Sequence, residues 1–325
     1  MALSVILGEL RLENFIFSVN TALPVLFVIL IGLFLKRRGM LSEADVKVLD
    51  RFSFKVGLPL LMFHDISEMD VYSEFQLSFV LFCALFSIAT FVIIWIVAMK
   101  VFPDRAMAGS FAQGSVRSSV AVLGVTIVSS IYGSAGIAAL MIAAAVPVYN
   151  VMSVIILTFC GSGGKIGRDT IRSALRGIIT NPLILGIVAG LPFALLRIEL
   201  PTALSSAIGS LSSCATPLAL IVIGASFSRS AAASSFRPAL CASVIKLLVL
   251  PAIGLPIAVA LGFRDAALTS ILLMTGTATT PASFIMARNM GCDGPLAANI
   301  VLITDSLFSI TLTMWLFILK SLALI

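Results

Sequence analysis

Ten apolar stretches, each long enough to cross a bilayer, take up most of this chain: 15–35, 47–66, 75–99, 105–131, 136–159, 177–196, 201–227, 237–262, 265–289 and 295–319. A spanning helix needs about 20 consecutive apolar residues to bridge the hydrocarbon core. Within each stretch the apolar residues run on without the alternation of a membrane β-strand. Lipid offers the backbone no hydrogen-bond partner, so such a segment must close its own bonds as a helix. Of the 325 residues, 60% are apolar and 11% charged, against roughly a quarter charged in soluble domains. The expectation is an all-α polytopic membrane protein with ten transmembrane helices.

Charge sets its orientation. With the N-terminus outside, fifteen of the 21 basic residues fall at cytoplasmic ends, among them Lys36, Arg37, Arg38, Lys165, Arg168 and Arg172. Only Arg11, Arg197, Arg264 and Lys320 fall outside. The positive-inside rule then predicts both termini outside, in the inner (plasma) membrane. The net charge of +6 comes largely from these flanking residues, so it does not point to nucleic acid. The first apolar run is followed by its basic cluster, the reverse of a signal peptide. Five scattered cysteines without a CxxC pair and a single histidine predict neither a disulfide framework nor a metal site. No cofactor is expected.

The two halves repeat. Pro24 and Pro59 lie 35 residues apart in spans one and two, as do Pro182 and Pro217 in spans six and seven, at an offset of 158. Span four opens PDRAMAGS and span nine FRDAALTS. Five spans per repeat is an odd number, so the second repeat is inverted. The predicted organisation is a first repeat over 1–160, a cytoplasmic linker over 161–176 and a second repeat over 177–325. Inverted repeats with interrupted helices are the architecture of secondary transporters.

Arg117 lies in the middle of span four, where a guanidinium costs at least about 2.5–3.5 kcal/mol. Gln113, Gly114, Ser115, Ser118, Ser119 and Gly124 surround it. Span nine carries Gly276 and Pro281 within LLMTGTATTPASF, with Thr275, Thr277, Thr279 and Thr280 between and around them. Proline removes a backbone donor and clashes with the carbonyl four residues back. Spans four and nine are therefore predicted to break and cross at mid-membrane, where half-helix N-termini with free N–H groups join Arg117 in an anion site. A guanidinium fork suits a carboxylate. The candidate substrate-binding residues are Arg117, Ser118, Ser119, Thr277, Thr279, Thr280 and Pro281.

Alternatives remain open at this stage. Arg117 pairs permanently with Asp305 of span ten, or Asp305 is a proton or cation site with Arg117 as its switchable partner. Lys246 of span eight either snorkels to the surface or joins Asp305 and Asn150 as a coupling or supporting residue. His64 and Glu68 read as an interfacial i, i+4 pair. No motif of an intramembrane protease and no GxxxxGK[ST] loop occurs, so a carrier driven by a gradient is favoured over an enzyme or an ATP-driven pump. A channel is disfavoured by the repeat, and a sodium/proton antiporter by the solitary deep carboxylate.

The sequence also resembles the auxin efflux carrier family, which includes plant auxin exporters and bacterial carriers of malonate, malate and related acids. The likeness lies in VPVYNVMSVIIL (146–157), IITNPLILGIVAGL (178–191), ATPLALIVIGASF (215–227), IKLLVLP (245–251) and the run from Thr279 to Leu312. It implies a scaffold of spans one, two, six and seven, usually dimeric, and a moving transport unit of spans three to five and eight to ten. Pro281 takes the place of the span-nine crossover proline. Arg117 and Gly124 fit the family's span four, whereas Ser119 stands where asparagine is common and Thr126 where proline is common. Asp305 replaces an apolar or small residue. The resemblance implies an elevator-type carrier of small anionic carboxylates, working as a homodimer in the lipid bilayer.

Overall fold

The computed structural model describes residues 24–68, 76–120, 124, 127–128, 131–132, 136–161, 176–227 and 229–325. The start of span one, Arg11, Thr126 and nearly all of the basic linker lie outside them. Among the described residues the regular structure is helical, with no strand.

Helix α1 covers 24–37. Helix α2 runs over Glu43–Phe52, a π turn at Ser53–Gly57, and Leu58–Ser67. Then come α3 (Leu77–Val101), α4 (Arg105–Val116), α5 (Gly136–Gly161) and α6 (Pro182–Leu196). Helix α7 runs over Thr202–Ser213 and Ala215–Ala225, and α8 over Arg229–Val244, a π turn at Ile245–Val249, and Leu250–Ala260. Helices α9 (Asp265–Gly276), α10 (Ala282–Asn289) and α11 (Gly294–Ser321) complete the chain. Among the described residues, five helical stretches are long and apolar enough to cross a bilayer: Leu77–Val101, Ile137–Gly161, Thr202–Ala225, Ala233–Ala260 and Gly294–Ser321. Pro182–Leu196 and Asp265–Gly276 are shorter but also apolar. The molecule is a polytopic, all-helical membrane protein.

Local sequence sets the boundaries. Ser42 and Asp45 form a capping box that starts α2, and Asp104, Asn181 and Asp293 accept backbone N–H groups at the starts of α4, α6 and α11. Such caps satisfy donors that a helix end leaves open. Both π turns directly precede a Leu-Pro pair, Leu58-Pro59 and Leu250-Pro251. A proline ring clashes with the carbonyl one turn back, and widening that turn relieves the clash.

Two apolar cores are distinct. One joins α3, α4, α5, α8, α9 and α11, around Phe79, Phe91, Leu140, Ile271 and Ile300. The other joins α1, α2, α6, α7 and α10 with one face each of α5 and α11, around Leu58, Ile66, Leu183, Ile223 and Ile285. The second is drawn tight by backbone contact. A Cβ on Gly224 of α7 would lie 1.9 Å from the Ile29 carbonyl oxygen of α1, and one on Gly186 of α6 would lie 2.4 Å from that of Pro59 in α2. Between membrane helices, where no hydrophobic effect drives association, small residues of this kind let dispersion hold the pair. Large apolar side chains face outward along α3 (Leu77, Leu81, Leu85, Ile93), α8 (Ile253, Ile257) and α11 (Ile310, Phe317), the surface that lipid covers.

Gly224→Leu should therefore separate α1 from α7 and destabilise the protein by at least the roughly 1–3 kcal/mol of an overpacked core. A lowered Tm in detergent, followed by tryptophan fluorescence, checks it; an unchanged Tm would mean the close approach is absent.

Candidate functional site at a crossing of two broken helices

Helix α4 ends at Val116 and α9 at Gly276, each after 12 residues. Arg117 and Thr277 follow in extended conformation, with ψ of 123° and 163°. The chain is helical again at Val120 and from Ala282. Pro281 opens α10, where its lack of an N–H costs nothing. Span four has no proline at its break; Gly114 and Ser115 precede it and Ser118 and Ser119 lie within it.

The two breaks meet. Ser119 N–H donates to the Ala278 carbonyl at 2.9 Å. Ser118 Oγ donates to the Met274 carbonyl near the end of α9 at 2.5 Å. In return Thr279 Oγ1 donates to the Gly114 carbonyl near the end of α4 at 2.8 Å. Each break thus caps the carbonyl end of the other helix, which meets the requirement that interrupted helices in a membrane find new partners. Tyr149 of α5 adds a second donor to Met274 O at 2.9 Å. Thr304 Oγ1 of α11 accepts the Thr279 N–H at 3.0 Å.

The free N–H groups expected at the half-helix start are in part occupied. Ser283 and Phe284 N–H donate to the Thr280 and Pro281 carbonyls at 2.9 and 3.1 Å, because the first turn of α10 is tightened to i→i−3 bonds. The hydroxyls of Ser118 and Thr279 act as caps. Thr277 Oγ1 is buried without a partner, and Thr280 is half-buried.

Arg117 is 5% exposed. Its Nη2 donates to Asn150 Oδ1 of α5 at 2.6 Å, and its Nη1 lies 2.8 Å from the Met286 sulfur of α10. Gln113 Nε2 also approaches that sulfur, at 3.6 Å. A thioether is a weak acceptor. The pairing of Arg117 with Asp305, one of the alternatives the sequence left open, is not made. Asp305 follows Thr304, which faces the crossing, and successive helical side chains are about 100° apart. Asp305 has one buried carboxylate oxygen without a partner. The carboxylate whose field does reach Arg117 is Asp65 of α2, which the sequence did not single out; it adjoins the His64–Glu68 pair, which closes at 3.2 Å.

On α4, α5 and α10, the helices that end at Arg117 or carry its partners, several polar atoms are buried and unsatisfied: Gln113 Oε1, Asn150 Nδ2, Ser153 Oγ of α5 and Ser283 Oγ of α10. Ser153 and Ser283 share a helix face with Asn150 and Met286 by their i, i+3 spacing. Sequence reasoning missed Met286 and Tyr149, and nothing marks either as different from a core residue.

Lys246 does not snorkel. It is fully buried, and its Nζ donates to the Val116 carbonyl at 2.6 Å and to Ser118 Oγ. A cleft of about 350 Å³ lies apart from these residues, between α7 and α10–α11, lined by Phe227, Phe284, Arg288, Cys292 and Asn299 among others. At its edge Arg288 pairs with Asp50 of α2 at 3.3 Å and donates to Ser226 of α7 at 2.6 Å.

A family described as "Membrane transport protein" matches residues 17–316. The chain belongs to that family, the auxin efflux carrier family. Similar proteins include an uncharacterized transporter of Methanothermobacter thermautotrophicus, 24% identical over 309 residues, covering 93% of this chain and 98% of that protein. Another, from Methanocaldococcus jannaschii, is 22% identical over 306 residues, covering 91% and 97%. The chain is thus a membrane protein of a transport family, and these relatives are named as transporters.

Asn150→Leu should leave the guanidinium with the thioether alone and cost about 1–3 kcal/mol or more of stability. Adding Arg117→Met should recover most of that loss, since the buried charge is then gone. Tm values of the two single variants and the double variant check both signs.

Proposed function

We propose that the protein is a secondary carrier of small organic anions, with a carboxylate held by Arg117 at the crossing of the broken helices. The observation that carries this reading is a buried guanidinium whose direct partners are a neutral amide and a thioether. A buried charge whose direct partners are neutral is costly even with the field of Asp65 reaching it, and a bound carboxylate supplies a direct counter-ion with a bidentate fork. Asn150 Nδ2 and the hydroxyls of Ser153 and Ser283, unsatisfied within the protein, are further donors for a carboxylate, and Gln113 Oε1 can accept from a hydroxyl on the ligand. Ser119, Thr277, Thr280 and Pro281 shape the floor of the site, while Ser118 and Thr279 keep the breaks open.

On this reading the halves are inverted five-helix repeats, and movement is of the elevator type. A unit of α3, α4, α5, α8, α9, α10 and α11 travels against α1, α2, α6 and α7, which form the scaffold of a homodimer. Support comes from the matched breaks, the two distinct apolar cores and a polar contact of the moving unit with the scaffold, Arg288 of α10 with Asp50 of α2 and Ser226 of α7. Such a contact can exchange partners with water during movement more readily than an apolar seam. The protein sits in the inner membrane with both termini outside.

A second reading, a proton-coupled symporter or a cation/proton antiporter of the same fold, is favoured by one observation: the unpartnered buried oxygen of Asp305. A carboxyl so placed can carry a proton between the two sides.

In proteoliposomes, radiolabelled mono- and dicarboxylates should show saturable uptake that Arg117→Met abolishes while its Tm stays at or above that of the parent. Full transport by that variant removes the arginine from the mechanism. Asp305→Asn should retain exchange of substrate across the membrane but lose acceleration by an imposed pH gradient; a gradient response intact in that variant sinks the second reading.

A further inference from the structure

We infer that the ammonium of Lys246 is a built-in occupant of an alkali-cation site at the crossing, so that the protein needs no sodium ion to hold its broken helices. Its two oxygen partners are of the kinds that such a site uses. Lys246 Nζ is held by the main-chain carbonyl of Val116, the last residue of α4, and by the hydroxyl of Ser118 in the break. Unwound carbonyls and half-helix C-terminal ends are the groups that coordinate sodium in transporters with interrupted helices. The C-terminal end of a helix carries a partial negative charge that favours a cation. Among the described residues no carboxylate pairs with Lys246, and it is wholly buried. The negative end of α4 and the oxygen lone pairs are therefore the groups that offset its charge.

Helix α8 is shaped to deliver this ammonium. Lys246 lies in the π turn Ile245–Val249, directly ahead of Pro251. Wide turns of this kind are frequent at functional sites. Pro251 itself packs on the end of α9, for a Cβ on Gly276 would lie 2.8 Å from its ring. One helix thus braces both breaks, the α9 end by contact and the α4 end by charge. Ser118 links the two, since it receives the ammonium and donates to Met274 O. Removing the side-chain amine vacates a pocket of oxygen ligands that a small cation can fill. The inference concerns what holds the crossing and is independent of which solute is carried.

The test uses the purified full chain and needs no substrate. Thermal unfolding is followed in lithium, sodium, potassium and N-methylglucamine chlorides at constant ionic strength. The parent protein should have the same Tm in all four. Lys246→Ala should have a lower Tm in N-methylglucamine, and sodium or lithium should restore much of the loss in a saturable, size-selective way. Lys246→Met, which fills the space with an apolar chain, should show the loss without the rescue. A sodium-dependent Tm in the parent overturns the inference. So does a Lys246→Ala variant as stable as the parent in N-methylglucamine, or one that responds equally to all four salts. Should Lys246→Ala yield no folded protein in any salt, Lys246→Gln takes its place, since it keeps a donor and loses the charge. A size-selective cation response in that variant supports the inference, and its absence overturns it.

Discussion

An interrupted helix inside a bilayer must find partners for the backbone groups that the interruption exposes, because lipid supplies none. Here two interrupted helices solve the problem together. The hydroxyl of each break closes a carbonyl of the other helix, Ser118 on Met274 and Thr279 on Gly114, and a main-chain bond from Ser119 to Ala278 ties them at the centre. Neither break is stable without the other. The surrounding helices follow from this pairing: α5 sends Tyr149, α8 sends Lys246 and α11 sends Thr304 to groups that remain. The core built around the crossing is held by directional bonds at its middle and by apolar packing at its ends.

The other core has a different chemistry. Helices α1 with α7 and α2 with α6 approach until their backbones touch, through glycines at Gly224 and Gly186. Contacts of this sort are insensitive to charge and resist shear, because a ridge seated in a glycine notch cannot slide without a clash. A core braced by interchangeable hydrogen bonds thus lies against one locked by shape. On the carrier reading, this is the division of labour that lets one unit move while the other stays still.

Much of the fold was legible from long apolar runs, since a backbone in lipid has few alternatives to a helix. The span-nine break was legible from Gly276 and Pro281. The span-four break carries no such signal at Arg117, Ser118 and Ser119, and only its likeness to span nine points to it. Side-chain direction was the part that sequence did not disclose. Lys246 could have faced the surface by ordinary helical periodicity, but the π turn before Pro251 changes the register and turns it to the Val116 carbonyl. Asp305 was a plausible partner for Arg117 by depth alone, yet depth says nothing of azimuth, and the Thr304 hydroxyl takes the inward position. Met286 is the clearest limit, because a methionine that faces a guanidinium reads like any core methionine.

The two buried cations of the crossing differ in a way that bears on their roles. Lys246 is spent on the protein: its contacts are a helix-end carbonyl and the hydroxyl that caps the other helix. Removing its charge changes the scaffold of the site. Arg117 is bonded to side chains that have little to gain from it, an amide whose own nitrogen is left without a partner and a sulfur. A polar cluster left half-satisfied in a low-dielectric interior is more costly than an apolar one. Selection for stability alone would fill it with hydrocarbon, as the neighbouring positions Val116 and Val120 already are. On the carrier reading, a guanidinium bonded to an amide and a thioether, beside the open Asn150 nitrogen, suits an exchangeable anion: donors strong enough to attract the ligand, and neutral partners that it can displace.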